Sequence, residues 1–431
     1  MKTPVPSLPT PDAPPGLAGL LSRQARERPQ AVAWILGEET ITFADLLART
    51  ERLARGLPAG RVHRTRGDNV HLARHACAAR WKNQAFFPVD RDIDLPDVPL
   101  PADVSLLIAT SGSEGQPRIV LLGDRQLHHA AAAANERLPL HPGDLWLACL
   151  PLQHIGGQSI LWRTLLAGAG MLLEPGFDAM RIAGALQRHP VTHLSLVPAM
   201  LARLLDAGCP PPDCLRHVLV GGAALNPALH ARACQAGWPL HPSYGLSETA
   251  AQIATWMPED GPWQPGDVGR PLAGSEIAIG EDGRIRIRSP QRMLGYLGIS
   301  GEASGIDDDG WLTTGDLGSL DAGGRLRVRG RADDMLISGG RNLHPLEIEA
   351  HLAACPGVRD IAVTGLPDPV WGDRIVALLV GDASDERLLA HARRHLPPAA
   401  QPRCLLRVAE LPRLGNGKLD RAALRRLAAG G

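Results

Sequence analysis

The chain has 431 residues, and its 45 basic and 45 acidic side chains cancel to zero net charge. That length holds about two to three domains with a large core, and the balance removes any general electrostatic case for nucleic acid or an anionic membrane as partner. No apolar run approaches the roughly 20 residues that span a bilayer, residues 1–16 are proline-rich without the apolar core of a signal peptide, and the seven scattered cysteines form neither a disulfide framework nor a zinc pattern. A cytoplasmic protein with reduced thiols is the expectation.

Taken in order, residues 17–28 and 42–57 carry apolar side chains at helical spacing and flank a short strand at 31–36. Residues 60–101 show a weaker pattern, proline-rich near its end. A mostly apolar run at 104–109 then breaks into Thr110-Ser-Gly-Ser-Glu-Gly-Gln-Pro-Arg118. Strands at 145–150, 171–173, 193–197 and 216–220 alternate with helices at 127–137, 159–167, 179–188, 198–205 and 227–235. Such alternation with short loops predicts a layered α/β sheet. After residue 266 the texture changes. Segments 276–279, 284–288 and 325–329 alternate with period two around Asp-Gly turns and predict antiparallel, half-exposed strands. The last hundred residues read as a compact α+β unit, with a boundary at the polar segment 330–334. The fold class expected is therefore α/β: a large domain (1–330) of layered sheets with a β-rich subdomain, and a small C-terminal domain (331–431).

Six segments carry chemistry. In the 110–118 loop, Gly112 and Gly115 permit close approach of backbone N–H groups, and Thr110, Ser111 and Ser113 supply hydroxyls, a combination suited to phosphate. It is not a Walker A loop, which ends in Gly-Lys-Ser/Thr. Residues 151–158 place His154 in a glycine-rich turn with Gly157 and Gln158. Residues 220–224 end a strand in small side chains against which a flat ring can lie. Residues 243–249 join a ring, Tyr244, to a carboxylate, Glu248, of the oxygen-ligand type that Mg2+ prefers. Residues 311–316 put Asp316 after a tight turn, where it can accept hydrogen bonds from vicinal hydroxyls. Finally, Lys418 stands in Gly-Asn-Gly-Lys just before a helix. The only lysines are Lys2, Lys82 and Lys418; where arginine is the default cation, a compact ammonium on a loop suits a migrating negative charge.

Together, and in this order, these segments resemble the adenylate-forming ligase superfamily of acyl- and aryl-CoA synthetases, over most of the chain from about residue 31. The resemblance implies a mobile small domain and a role for each matching residue. Residues 110–118, including Thr110, Ser111, Gly112, Ser113, Gly115 and Arg118, would hold the ATP β- and γ-phosphates. Gly222 and Ala223 would lie against adenine and the acyl group, Tyr244 would stack on adenine within Tyr244-Gly245, Ser247 would sit near the α-phosphate and Glu248 on Mg2+. Asp316 and Arg331 would bind ribose. Asp333 would be the hinge, Ser338, Gly339 and Gly340 would meet the pantetheine arm, and His154, Gly157, Gln158 and Gly222 would line the acid pocket. Lys418, with Glu248 and His154, would be catalytic.

The implied activity is ATP- and Mg2+-dependent activation of a carboxylic acid as an adenylate, then transfer to CoA or to the phosphopantetheine of an acyl carrier protein. The segment 151–158 is most similar to ligases of 2-succinylbenzoate and related aromatic acids. A catalytically lapsed adenylate sensor and a homodimer remain open. Two residues depart from the family pattern: Glu114 stands for a threonine and Arg118 for a lysine. About fifty residues of the family's N-terminal region also have no counterpart.

Overall fold

Why does so much of this chain disappear into two cores? The computed structural model, which describes residues 14–93, 95–96, 98–110, 118–299, 305–414 and 417–430, answers with layers. A nine-stranded sheet carries six parallel strands at its centre. In spatial order these are Leu240–Leu246, His217–Val220, His193–Leu196, Leu145–Ala148, Gly170–Leu173 and Val32–Leu36, with antiparallel strands at both edges. A second sheet has Val62–Thr65, Ala85–Pro88 and Val104–Thr110 in parallel, followed by antiparallel Arg118–Gly123 and Gly295–Tyr296.

Helices Leu17–Glu27, Phe43–Gly56, Asn69–Trp81, Asp124–Arg137 and Ile155–Ala167 contribute to a core shared with both sheets. Helices Ala179–Arg188, Pro198–Asp206 and Pro227–Gln235 pack on the opposite face of the large sheet. Period-two alternation explains the division. Trp146 and Ala148 face the first core, whereas Leu145 and Leu147 face the second.

The strands predicted after residue 266 form an antiparallel four-stranded sheet: Glu276–Ile279, Arg284–Arg288, Leu312–Leu320 and Leu326–Arg331. Asp316 corrects the sequence reading. It lies inside the strand Leu312–Leu320, paired with Arg331, rather than behind a turn. Residues 336–407 supply a further five-stranded sheet, covered by helices Pro345–Ala353, Asp385–His395 and Arg421–Gly430.

Residues 60–101, weakly patterned in sequence, contain a 13-residue helix, Asn69–Trp81, between two strands. Its residues Leu72, Ala73, Ala76, Cys77, Ala78 and Ala79 are all buried. A helix enclosed nearly all round shows no polar stripe, so its period is faint. All seven cysteines are free thiols, and Lys82 donates to the Leu57 carbonyl. Among the described residues, no helix is long and apolar enough to cross a membrane.

Candidate active site

The loops that follow parallel strands gather at one edge of the sheet, the usual place for a ligand crevice. Here they bring His154, Val197 and Gly222 together, after the strands Leu145–Ala148, His193–Leu196 and His217–Val220. The next strand, Leu240–Leu246, carries Ser243, Tyr244 and Gly245. Ser243 donates to the Val220 carbonyl at 3.1 Å. Gly245 admits no other residue, because a Cβ there would stand 2.0 Å from the Ala251 carbonyl oxygen. The chain makes this close approach with Ala250 and Ala251 at φ +50 and +103. Left-handed non-glycine residues cost about 1–3 kcal/mol each, strain that persists only where packing over-determines it. These two lie two and three residues beyond Glu248.

Tyr244 is buried, and its hydroxyl donates to Asp316 Oδ2 at 2.7 Å. Burial first, and the Asp316 carboxylate second, push the phenol well above its ordinary pKa, so it stays a donor. Arg331 lies across the hairpin, with Nη1 3.7 Å from Asp316 Oδ1 and Nη2 2.8 Å from Asp333 Oδ2. Gly315 makes room for it, since a Cβ there would come within 2.7 Å of Nη2. Four residues thus form one corner: a ring, a carboxylate, a guanidinium and a second carboxylate in the polar segment 330–334.

Glu248 has a partner that no motif announced. Tyr296 donates to Glu248 Oε1 at 2.7 Å, and the Arg118 guanidinium carbon sits 5.5 Å above the Tyr296 ring. Burial, then Glu248, raises the Tyr296 phenol out of its normal range. The one available signal was scarcity: Tyr244 and Tyr296 are the only tyrosines in the chain. Among the described residues, no group of three or more histidine, cysteine or acidic side chains could cage a metal. A single oriented, half-buried carboxylate fits Mg2+, which is held through one or two carboxylates plus substrate phosphates and keeps several waters.

His154 occupies the N-cap position of the helix Ile155–Ala167, with no capping hydrogen bond from its side chain. Burial lowers its pKa, Asp90 opposes the shift and Lys418 reinforces it. The imidazole therefore feels Lys418, a residue 264 positions away in the chain. Gly417 explains the approach, for a Cβ on it would lie 2.7 Å from Val197 Cγ2, while one on Gly222 would lie 3.4 Å from Val197 Cγ1. Val197 is thus clasped between the Gly222 turn and the hairpin that bears Lys418.

Two arginines hold that hairpin. Arg413 donates to the Gly417 carbonyl at 3.1 Å and to Asp360 Oδ2 at 2.6 Å. Arg421, just beyond Lys418, meets Glu349 at 2.6 and 3.3 Å and donates to the Val363 carbonyl at 3.0 Å, with Asp334 3.7 Å away.

Not every predicted residue joins the site. Gln158 is 1% exposed and donates to the Leu152 carbonyl at 2.7 Å; it faces the interior with Leu106 and Trp162. Gly157 permits the turn, since a Cβ would strike the Pro151 carbonyl oxygen at 2.5 Å. Ser338 is buried, and Gly339 packs against Trp371, not against the nucleotide corner. Ser247 and Ala223 are half-buried at the crevice. Thr110 ends its strand, donating to the Arg118 carbonyl at 3.1 Å. Ser111, Gly112, Ser113, Glu114 and Gly115 lie outside the described residues.

Comparison with known proteins agrees with this geometry. A family model described as AMP-binding enzyme matches residues 72–297, and one described as AMP-binding enzyme C-terminal domain matches 347–418. A 2-succinylbenzoate–CoA ligase of Bacillus pumilus is 35% identical over 348 residues, covering 78% of this chain and 70% of the relative. One from Listeria monocytogenes is 35% identical over 322 residues, covering 73% and 68%. Among solved structures, the o-succinylbenzoate CoA synthetase of Bacillus subtilis with its acyl-adenylate intermediate superposes with TM-score 0.84 at 27% identity, covering 94% of this chain and 97% of that one. The same enzyme with ATP and magnesium gives 0.83 at 27%, covering 94% and 98%.

Proposed function

The chain belongs to the AMP-binding enzyme family, and from that membership we propose that it is an acid–CoA ligase acting on 2-succinylbenzoate. The observation that carries the reading is the convergence of two distant segments. The Tyr244–Asp316–Arg331 corner provides a place for a nucleoside, and the hairpin bearing Lys418 rests against Val197 at the mouth of the acid pocket.

In the first step a substrate carboxylate oxygen attacks the α-phosphorus of ATP, and pyrophosphate leaves as the acyl-adenylate forms. Little covalent work falls to the protein; catalysis is positioning and charge neutralisation. Asp316 accepts hydrogen bonds from the ribose hydroxyls, releasing the Tyr244 phenol that occupies it here. Glu248, oriented by Tyr296, would hold Mg2+, which would supply charge to offset the phosphates. Lys418 spans carboxylate and phosphate oxygens as negative charge moves between them, a task for a compact ammonium. Neutral His154 borders the acid. Residues 331–431 act as a lid that turns about Asp333, withdrawing Lys418 and presenting residues 338–340 to the CoA thiol, which displaces AMP.

ATP–pyrophosphate exchange across a panel of aromatic and aliphatic acids tests the reading, with 2-succinylbenzoate expected to support the fastest exchange. Thioester formation is expected to be faster with CoA than with a holo acyl carrier protein. Exchange with none of the acids would return the chain to the class of adenylate-binding sensors.

A further inference from the structure

The turn that presents His154 is held from outside its own sheet. Asn69 opens the helix Asn69–Trp81, which follows the strand Val62–Thr65 of the second sheet. It is 2% exposed. Its Nδ2 donates to the Leu150 carbonyl at 3.1 Å, and its Oδ1 accepts from the Leu152 N–H at 3.0 Å. One side-chain amide thus flanks Pro151 on both sides, as a neighbouring strand would. The Asn69 N–H in turn donates to the Pro175 carbonyl at 3.2 Å. Leu150 and Leu152 follow the strand Leu145–Ala148, and Pro175 follows Gly170–Leu173, both in the nine-stranded sheet. A single buried residue therefore fastens the loop edge of one sheet to two loops of the other.

The remaining bonds of the turn show what Asn69 controls. The Pro151 carbonyl accepts from the His154 N–H at 3.1 Å, and the Leu152 carbonyl accepts from Gln158 Nε2 at 2.7 Å. Gln153 Nε2 reaches back to the Gly67 carbonyl at 3.2 Å, two residues before Asn69. The Leu152 side chain is fully enclosed, in the same core as Ala148, Ile155 and Ile160. Packing and Gln158 therefore fix one side of the Leu152 peptide, while Asn69 fixes the other. His154 follows with extended backbone, φ −109 and ψ 155, and its side chain makes no capping bond. The ring's direction is inherited from the backbone on either side of it. Behind it stands the helix; ahead of it stands the segment clasped by Asn69. Removing that amide would leave a carbonyl and an N–H to bear their full desolvation penalty, so the turn would shift to find water.

We propose that Asn69 is a positioning residue of the acid pocket. It sets the direction of His154 from a different sheet, and through His154 it governs how tightly the carboxylic acid is held. This rests on the acid-ligase reading and adds to it a residue outside the segments that line the site.

The test joins steady-state kinetics to amide hydrogen exchange. In Asn69→Ala, the KM for 2-succinylbenzoate in ATP–pyrophosphate exchange is expected to rise about tenfold, the scale of one lost hydrogen bond. The KM for ATP should stay within about twofold, because the Tyr244–Asp316–Arg331 corner shares none of these bonds. His154→Ala and the double variant complete a cycle. If Asn69 acts through His154, the double variant should match His154→Ala to within about twofold. Amide hydrogens of residues 150–158, followed by mass spectrometry without substrate, should exchange roughly tenfold faster in Asn69→Ala, while those of 240–246 keep wild-type rates. Thermal melts confirm that folded enzyme is compared, and Asn69→Ser gives a milder variant, expected to lie between wild type and Asn69→Ala. An unchanged KM for the acid, equal rises in both KM values, or fully additive losses in the cycle would overturn the proposal while the ligase reading stands. A wild-type enzyme that supports pyrophosphate exchange with no acid would remove the ligase reading. Amide exchange then decides alone: faster at 150–158 in Asn69→Ala upholds the clasp, and unchanged rates there overturn it.

Discussion

Two turns of the C-terminal unit make opposite use of glycine. At Gly417, φ +82, the missing side chain lets the lysine hairpin seat against Val197 of the large sheet. At Gly339, φ +56, the missing side chain lets the turn pack against Trp371 of its own unit, for a Cβ there would stand 3.2 Å from the ring. Arg413 and Arg421 brace the first turn through Asp360 and Glu349. The second is braced by the Gly339 N–H to the Trp371 carbonyl at 2.9 Å, with the Arg403 guanidinium 3.9 Å over the indole. One turn of the unit meets the loop that follows the strand His193–Leu196, while the other packs within its own unit. The difference teaches that the two turns serve separate surfaces, so on the proposed mechanism the two half-reactions should fail separately.

Lys418→Ala gives the largest effect expected. It should lower pyrophosphate exchange by roughly a thousandfold, the scale of losing a preorganised charge at the transition state, and spare thioester formation from supplied acyl-adenylate. Equal loss in both assays would break the comparison.

Next comes Arg421→Gln, which leaves the 9%-exposed Glu349 carboxylate without its charged partner. About a tenfold loss of exchange with a lowered melting temperature is expected, since breaking a buried pair is costly. Thioester formation from supplied adenylate should change by less than about twofold. If both rates fall together, Arg421 maintains the fold and does not position Lys418.

The smallest effect belongs to Gly339→Val. A β-branched residue in the left-handed region costs about 1–3 kcal/mol, so a several-fold slowing of thioester formation with unchanged exchange is expected in stopped-flow assays. Slowed exchange would show that residues 338–340 also serve adenylation.

Much of this was legible in the chain. The strand–helix alternation of 145–235 and the period-two strands after 266 follow from side-chain periodicity, which local sequence carries directly. The helix Asn69–Trp81 was not legible, because burial on nearly every side erases the stripe that marks a helix. Asp316 was read as a turn residue since Thr-Thr-Gly-Asp carries a turn's composition; pairing with Arg331 made it a strand residue. Tyr296 escaped notice because its partner Glu248 is 48 positions earlier, and nothing near it in sequence announces the contact. Gln158 was assigned to the pocket from its neighbours, yet its amide is spent on the turn that presents His154.

The motifs by themselves determined the residue types, a ring, carboxylates and a rare lysine, each suited to one charge or hydrogen bond at short range. Tertiary structure alone decided which of those groups meet. His154 feels Lys418, Arg331 pairs with Asp316, and Gly417 seats against Val197, because sheet register and close packing at glycine set distances that no local pattern encodes.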